Sequence, residues 1–76
     1  MRKISSLVPL ENFQLLVQFE NGIQKTFDLK PYFNYPVFSV LKNQNEFNKV
    51  INHQYFIEWK EHEVDLSADT LWHDGK

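Results

Sequence analysis

Apolar and polar positions alternate most cleanly between Phe13 and Leu29. Phe13, Leu15, Val17 and Phe19 precede a Glu20-Asn21-Gly22 step, and Ile23, Phe27 and Leu29 follow it. A period of two over that length predicts two half-buried strands joined as a β-hairpin. Loop length decides the register. A two-residue Asn21-Gly22 turn would set Phe19 opposite Gln24 and Leu15 opposite Asp28, mixing apolar with polar groups on one face. A three-residue loop of Glu20, Asn21 and Gly22, a type I turn closed by glycine in the left-handed region, pairs Phe19 with Ile23, Leu15 with Phe27 and Phe13 with Leu29. The three-residue loop is therefore predicted. It sets Lys25 beside Val17 on the core face, its stem covering apolar surface while the charge reaches water at the rim.

Ile4, Leu7, Val8 and Leu10 around Pro9 predict a first strand over residues 3–10, ending where proline removes a ladder donor, at an edge or terminus. Pro31, Asn34 and Pro36 make 29–36 a turn or a single helical turn. Three- and four-residue spacings of Val37, Phe38, Val40, Leu41, Phe47, Val50 and Ile51 predict one or two short helices, opened by Pro36 and by Asn43 or Asn45. Residues 50–59 read as a strand with Tyr55, Ile57 and Trp59 on one face and Phe56, Glu58 and Lys60 on the other. A second hairpin around Glu61-His62 pairs Trp59 with Val64 and Ile57 with Leu66, through either a two-residue loop or a four-residue loop from Lys60 to Glu63. Neither Glu nor His favours positive φ as glycine does, so the wider loop is preferred. Ser67 caps a C-terminal helical turn with Asp69 in its first turn and Gly75 at its end. Together these predict one α+β domain over residues 1–76: a small antiparallel β-sheet of about five strands, including two hairpins, with one or two short helices and a C-terminal helical turn.

A chain of 76 residues buries only about 60% of its unfolded surface, which argues against a large enclosed cleft. The absence of cysteine removes disulfide and thiolate chemistry and points to a reducing cytosol. Met1 to Ser6 carries Arg2 and Lys3 with no apolar run behind them, so a soluble, unexported, cytoplasmic protein away from membranes is expected. Eight Lys/Arg against ten Asp/Glu give a net charge of −2, which disfavours direct nucleic-acid binding. Aromatics are in excess, with seven Phe, three Tyr and two Trp. Each can bury roughly 150–250 Å², so they either fill one core or leave a surface patch or interface.

Chemistry is sparse. His53, His62 and His73 are never three or four residues apart, so no helix presents them as a metal pair. Glu61, Glu63 and Asp65 alternate along the presumed last strand with His62 nearby, as oxygens for a hard cation or as a solvated face and edge guard. Asp65 and Asp69 form a conceivable acid pair for hydrolysis, but more simply flank and cap the terminal helix. The serines lack nucleophile-elbow glycines, and two glycines make no phosphate loop. No catalytic residue, metal or cofactor is assigned. The first functional reading is a non-enzymatic protein-interaction module that docks a partner or a second copy by an aromatic surface or strand edge, with Tyr32, Phe33, Tyr35, Phe38 and Trp72 as interaction residues. An alternative is a nucleic-acid-linked regulatory subunit, antitoxin-like or RNA-binding, stacking bases on Tyr32, Phe33 and Tyr35 beside Lys30. A third is a small hydrolase or metal-dependent enzyme using Asp65, Asp69, Glu63 and His62.

Phe19-Glu20-Asn21-Gly22, Phe27-Asp28-Leu29-Lys30-Pro31, Pro36-Val37-Phe38 with Leu41, Trp59, and Asp65-Leu66-Ser67-Ala68-Asp69-Thr70-Leu71 occur in an order and spacing that resembles a family of short bacterial proteins, the domain of unknown function two-four-four-two. The resemblance covers nearly the whole chain. In that family the turn after the tryptophan is commonly Pro-Asn-Gly, where this chain has Lys60-Glu61-His62. The resemblance implies a small α+β domain on antiparallel strands in bacterial cytoplasm, and brings no catalytic residues. Some longer relatives carry a helix-turn-helix domain, and short members are often encoded beside a small protein, as in toxin–antitoxin pairs. With no helix-turn-helix here, any action on DNA would run through a partner.

Overall fold

The first hairpin forms in the register that the alternation predicts. A computed structural model describes residues 2–76; Met1, the first residue of the basic N-terminal stretch, lies outside the described residues. Strands β1 (Ile4–Pro9), β2 (Gln14–Phe19) and β3 (Gln24–Asp28) form an antiparallel sheet in that order. Leu15 faces Phe27 and Val17 faces Lys25. Phe19 N–H donates to the Ile23 carbonyl at 2.9 Å and Leu29 N–H to that of Phe13 at 3.0 Å, as the three-residue loop requires. Gly22 closes the loop at φ +88°, and Asn21 Oδ1 accepts from Ile23 N–H. Phe13 itself lies outside the strand, in a 3₁₀ turn (Glu11–Phe13) where Asn12 and Phe13 both have positive φ. Pro9 ends β1 at the sheet edge, where its missing donor breaks no ladder.

From Leu29 the chain winds through a 3₁₀ turn (Lys30–Asn34), α1 (Pro36–Ser39), a second such turn (Val40–Lys42) and α2 (Gln44–Phe47). Pro36 opens α1, and the Asn43 side chain caps α2 by accepting from Asn45 N–H at 2.9 Å and Glu46 N–H at 3.4 Å.

The predicted continuous strand over 50–59 is instead a tight reversal between β4 (Ile51–Asn52) and β5 (Phe56–Trp59), which pair with each other. Asn52 Oδ1 accepts from Gln54 N–H at 2.8 Å and Gln54 takes φ +75°, an Asx-type turn hidden in a stretch that looks strand-like by composition. Tyr55 therefore stands exposed at the reversal, off the face of Ile57 and Trp59. Strand β6 (Val64–Ser67) pairs with β5 as expected, Trp59 opposite Val64 and Ile57 opposite Leu66. The connection is the wider loop, a 3₁₀ turn (Lys60–His62) followed by Glu63 at φ +55°. Of the acidic trio Glu61, Glu63 and Asp65, only Asp65 lies on the strand. Among the described residues, six strands in two three-stranded sheets thus replace the expected single sheet of about five.

Helix α3 (Ala68–Asp74) starts where Ser67 Oγ accepts from Thr70 N–H at 3.1 Å. Both sheets and the helices share one apolar core, centred on Trp59, Phe19, Phe27 and Phe47 with Leu15, Leu41, Ile57 and Leu71. Trp59 satisfies its indole by donating to the Phe47 carbonyl at 2.8 Å. Among the described residues no polar or charged residue is buried. Each fully buried large apolar side chain contributes on the order of 1.5–3 kcal/mol. Aromatics also reach the surface: Tyr35, Tyr55 and Phe56 are exposed. No helix among the described residues is long and apolar enough to cross a membrane.

Candidate interaction surface

Two prolines and a run of short helical turns make residues 30–42 a stiff ridge along one side of the core. Its inward residues pack on one another. The Tyr32 ring lies 5.5 Å from Phe27, 5.2 Å from Phe38 in edge-on contact, and 6.4 Å from Tyr35. Its outward residues are apolar and wet: Tyr35 is 60% exposed, Val37 52% and Val40 44%. Beside the ridge a groove of about 580 Å³ runs between the outer edge of β3, Pro31, Tyr32 and Asp74. Tyr32 hydroxyl donates to Asp74 Oδ2 at 2.7 Å. Burial first, then that hydrogen bond and the Asp74 charge, push the Tyr32 phenol up to about 12.

The five candidate residues divide. Tyr32, Tyr35 and Phe38 come together on the ridge. Phe33 turns the other way, edge-on to Phe13 at 5.3 Å, and buttresses the corner that Phe13 shares with Phe47. Trp72 sits apart, edge-on to Phe19, with the Arg2 guanidinium 3.8 Å and Lys25 Nζ 4.3 Å from its ring centroid. Lys25 also donates to the Trp72 carbonyl at 2.6 Å, so its stem covers the core face and its charge ends on the C-terminal turn of α3. Lys30 is held by Asp28 at 3.1 Å and donates to the Asn12 carbonyl at 2.7 Å.

Titratable groups pair off at the surface. Glu46 bonds His62 at 2.9 Å and Lys49 at 2.9 Å, and Lys49 also reaches Glu61 at 3.4 Å. Lys49, then His62, hold the Glu46 carboxyl below the usual carboxylate range, while Glu46 and Glu61 raise the Lys49 ammonium. Donor atoms of Glu46, Glu61 and His62 lie within 4.8 Å of one another, a spacing open to a metal ion. The Lys49 ammonium already bridges the two carboxylates, so the cluster serves as a clasp between α2 and the loop that joins β5 to β6. His53 stacks on Phe56 and bonds Glu58 at 3.0 Å. Asp65 and Asp69 are both exposed.

A family model for proteins of unknown function, DUF2442, matches residues 4–76. The chain belongs to the DUF2442 family. No curated protein and no solved structure matches it. The DUF2442 match runs from β1 to Lys76, so both sheets, the ridge and the groove fall within one family unit. Sequence reasoning missed Val37 and Val40 as surface residues, because apolar periodicity assigns valines to a core, and missed Glu46 and Lys49, whose partners lie far along the chain. The i,i+3 spacing of Glu46 and Lys49 was the one signal available for that clasp.

Proposed function

We propose that this DUF2442 domain is a non-enzymatic protein-interaction module that docks a partner protein on the ridge of Tyr35, Val37 and Val40. The observation that carries this is the exposure of those three apolar side chains on one stiff segment, continuous with half-buried Tyr32 and Phe38. A ridge pinned by Pro31 and Pro36 loses little entropy on docking, and a tyrosine offers a rigid ring with a polar tip, a common anchor at interfaces.

The family resemblance supports a small protein partner, as in a toxin–antitoxin-like pair, in bacterial cytoplasm. The nucleic-acid alternative has less support, since Lys30 is tied to Asp28 and Asn12 and Phe33 faces the protein. The test is a nuclease-treated pull-down of tagged wild type and Val37→Asp. A stoichiometric protein held by wild type and lost by the variant is expected; one released by nuclease, or held equally by both, overturns the proposal.

A further inference from the structure

Among the described residues, no strand covers the outer side of β3. Residues 23, 25, 27 and 29 direct their backbone groups toward β2, so Gln24, Thr26 and Asp28 direct theirs outward. Among the described residues, Lys76 alone gives backbone hydrogen bonds to that side. Lys76 N–H donates to the Thr26 carbonyl at 2.9 Å, and Thr26 N–H to the Lys76 carbonyl at 3.5 Å, forming a single antiparallel rung. Gly75 delivers Lys76 there through a gap that no side chain fits: an added Cβ would lie 2.5 Å from the Leu71 carbonyl oxygen and 3.1 Å from Lys25 Cβ.

The groove opens beside this rung, with Pro31 and Tyr32 as an apolar wall and Asp28, Asp74 and Lys76 among its lining. Asp28 is neutralised by Lys30. Asp74 accepts from the Tyr32 hydroxyl, and among the described residues no Lys, Arg or His nitrogen lies within 4.0 Å of it. The groove thus pairs an extended-backbone edge with a carboxylate that lacks a cation.

We propose that the outer edge of β3 is a strand-addition site for an extended segment of the partner protein, with a lysine or arginine of that segment directed at Asp74. This rests on the interaction-module reading and narrows it to backbone pairing next to the ridge. Lys76 acts as a resident placeholder: its backbone shows the antiparallel sense in which a chain fits Thr26, and the residue lies in the lining of the same groove. An incoming segment gives up that single rung and gains rungs at Gln24, Thr26 and Asp28, with specificity from the side chain that enters the groove.

Two end-blocked synthetic peptides, Thr-Val-Lys-Val-Thr and Thr-Val-Glu-Val-Thr, test this by amide NMR titration of the labelled protein. The lysine peptide is expected to shift the amides of Gln24, Thr26 and Asp28 and to bind about threefold more tightly than the glutamate peptide, as for one part-exposed charge pair. Asp74→Asn removes that preference. Gly75→Val, which unseats Lys76, strengthens binding of the lysine peptide; Lys76→Pro, which deletes the N–H given to Thr26, does the same and serves if Gly75→Val does not fold. Edge amides that stay still, equal affinity for both peptides, or unseated variants that instead dimerise through β3 overturn the proposal. The ridge is read by the pull-down with Val37→Asp and the β3 edge by this titration, so failure of one is distinguishable from failure of the other.

Discussion

Replacing Gly22 with alanine isolates the backbone cost of the first hairpin loop. Gly22 sits at φ +88°, and a Cβ built there meets nothing within 4 Å, so no clash contributes. An L-residue held in the left-handed region costs roughly 1–2 kcal/mol, while alanine narrows the unfolded ensemble and returns about 0.4–1 kcal/mol. The net loss is about 1 kcal/mol, which lowers Tm by roughly 4–8 °C in a domain of this size. Glu63, at φ +55° in the second loop, gives the mirror experiment: Glu63→Gly relieves the same strain, and the added chain entropy limits the gain to about 0.5 kcal/mol. Circular-dichroism melts and urea titrations of both variants measure the pair. Gly22→Ala at or above wild-type stability would refute the left-handed loop, and with it the register that places Leu15 against Phe27.

Further outcomes are expected elsewhere. Trp59→Phe deletes the donor to the Phe47 carbonyl and leaves a partial cavity in the core, costing about 2–3 kcal/mol in denaturant unfolding. Ser67→Ala removes the cap of α3 and costs about 1 kcal/mol by the same assay. The Tyr32 phenol, raised from 10.0 to about 12, favours the folded state below pH 10, and that contribution is lost as pH rises from 10 through 12. A spectrophotometric alkaline titration reads it as a late-ionising tyrosine that Tyr32→Phe abolishes; no late step would contradict the contact with Asp74.

Much of the fold was legible because the side chains that specify it act locally. Period-two alternation determines both hairpin registers, with the loop glycine Gly22 fixing the first, and Asn43 and Ser67 cap the helices that follow them. The division into two sheets was not legible. It depends on the Asn52 side chain folding back on Gln54 N–H inside a run rich in strand formers, and on Ile4 bonding Gln54 at 2.7 Å from the far end of the chain. The candidate surface was half legible. Tyr32, Tyr35 and Phe38 share one segment, and two prolines announce its stiffness. Trp72 and Phe33 have the same aromatic character, yet Lys25 and Phe13, distant in sequence, draw them into other work. Asp74 became visible only when α3 was laid against the edge of β3.

The most direct test of the ridge is photocrosslinking from a photoreactive residue placed at Val37, compared with one at Asp65, which is exposed on the other sheet. A single adduct with a heterologous protein, formed from position 37 and absent from position 65, is the predicted result. An adduct of two copies of this chain, equal labelling from both positions, or no discrete adduct from position 37 would contradict it.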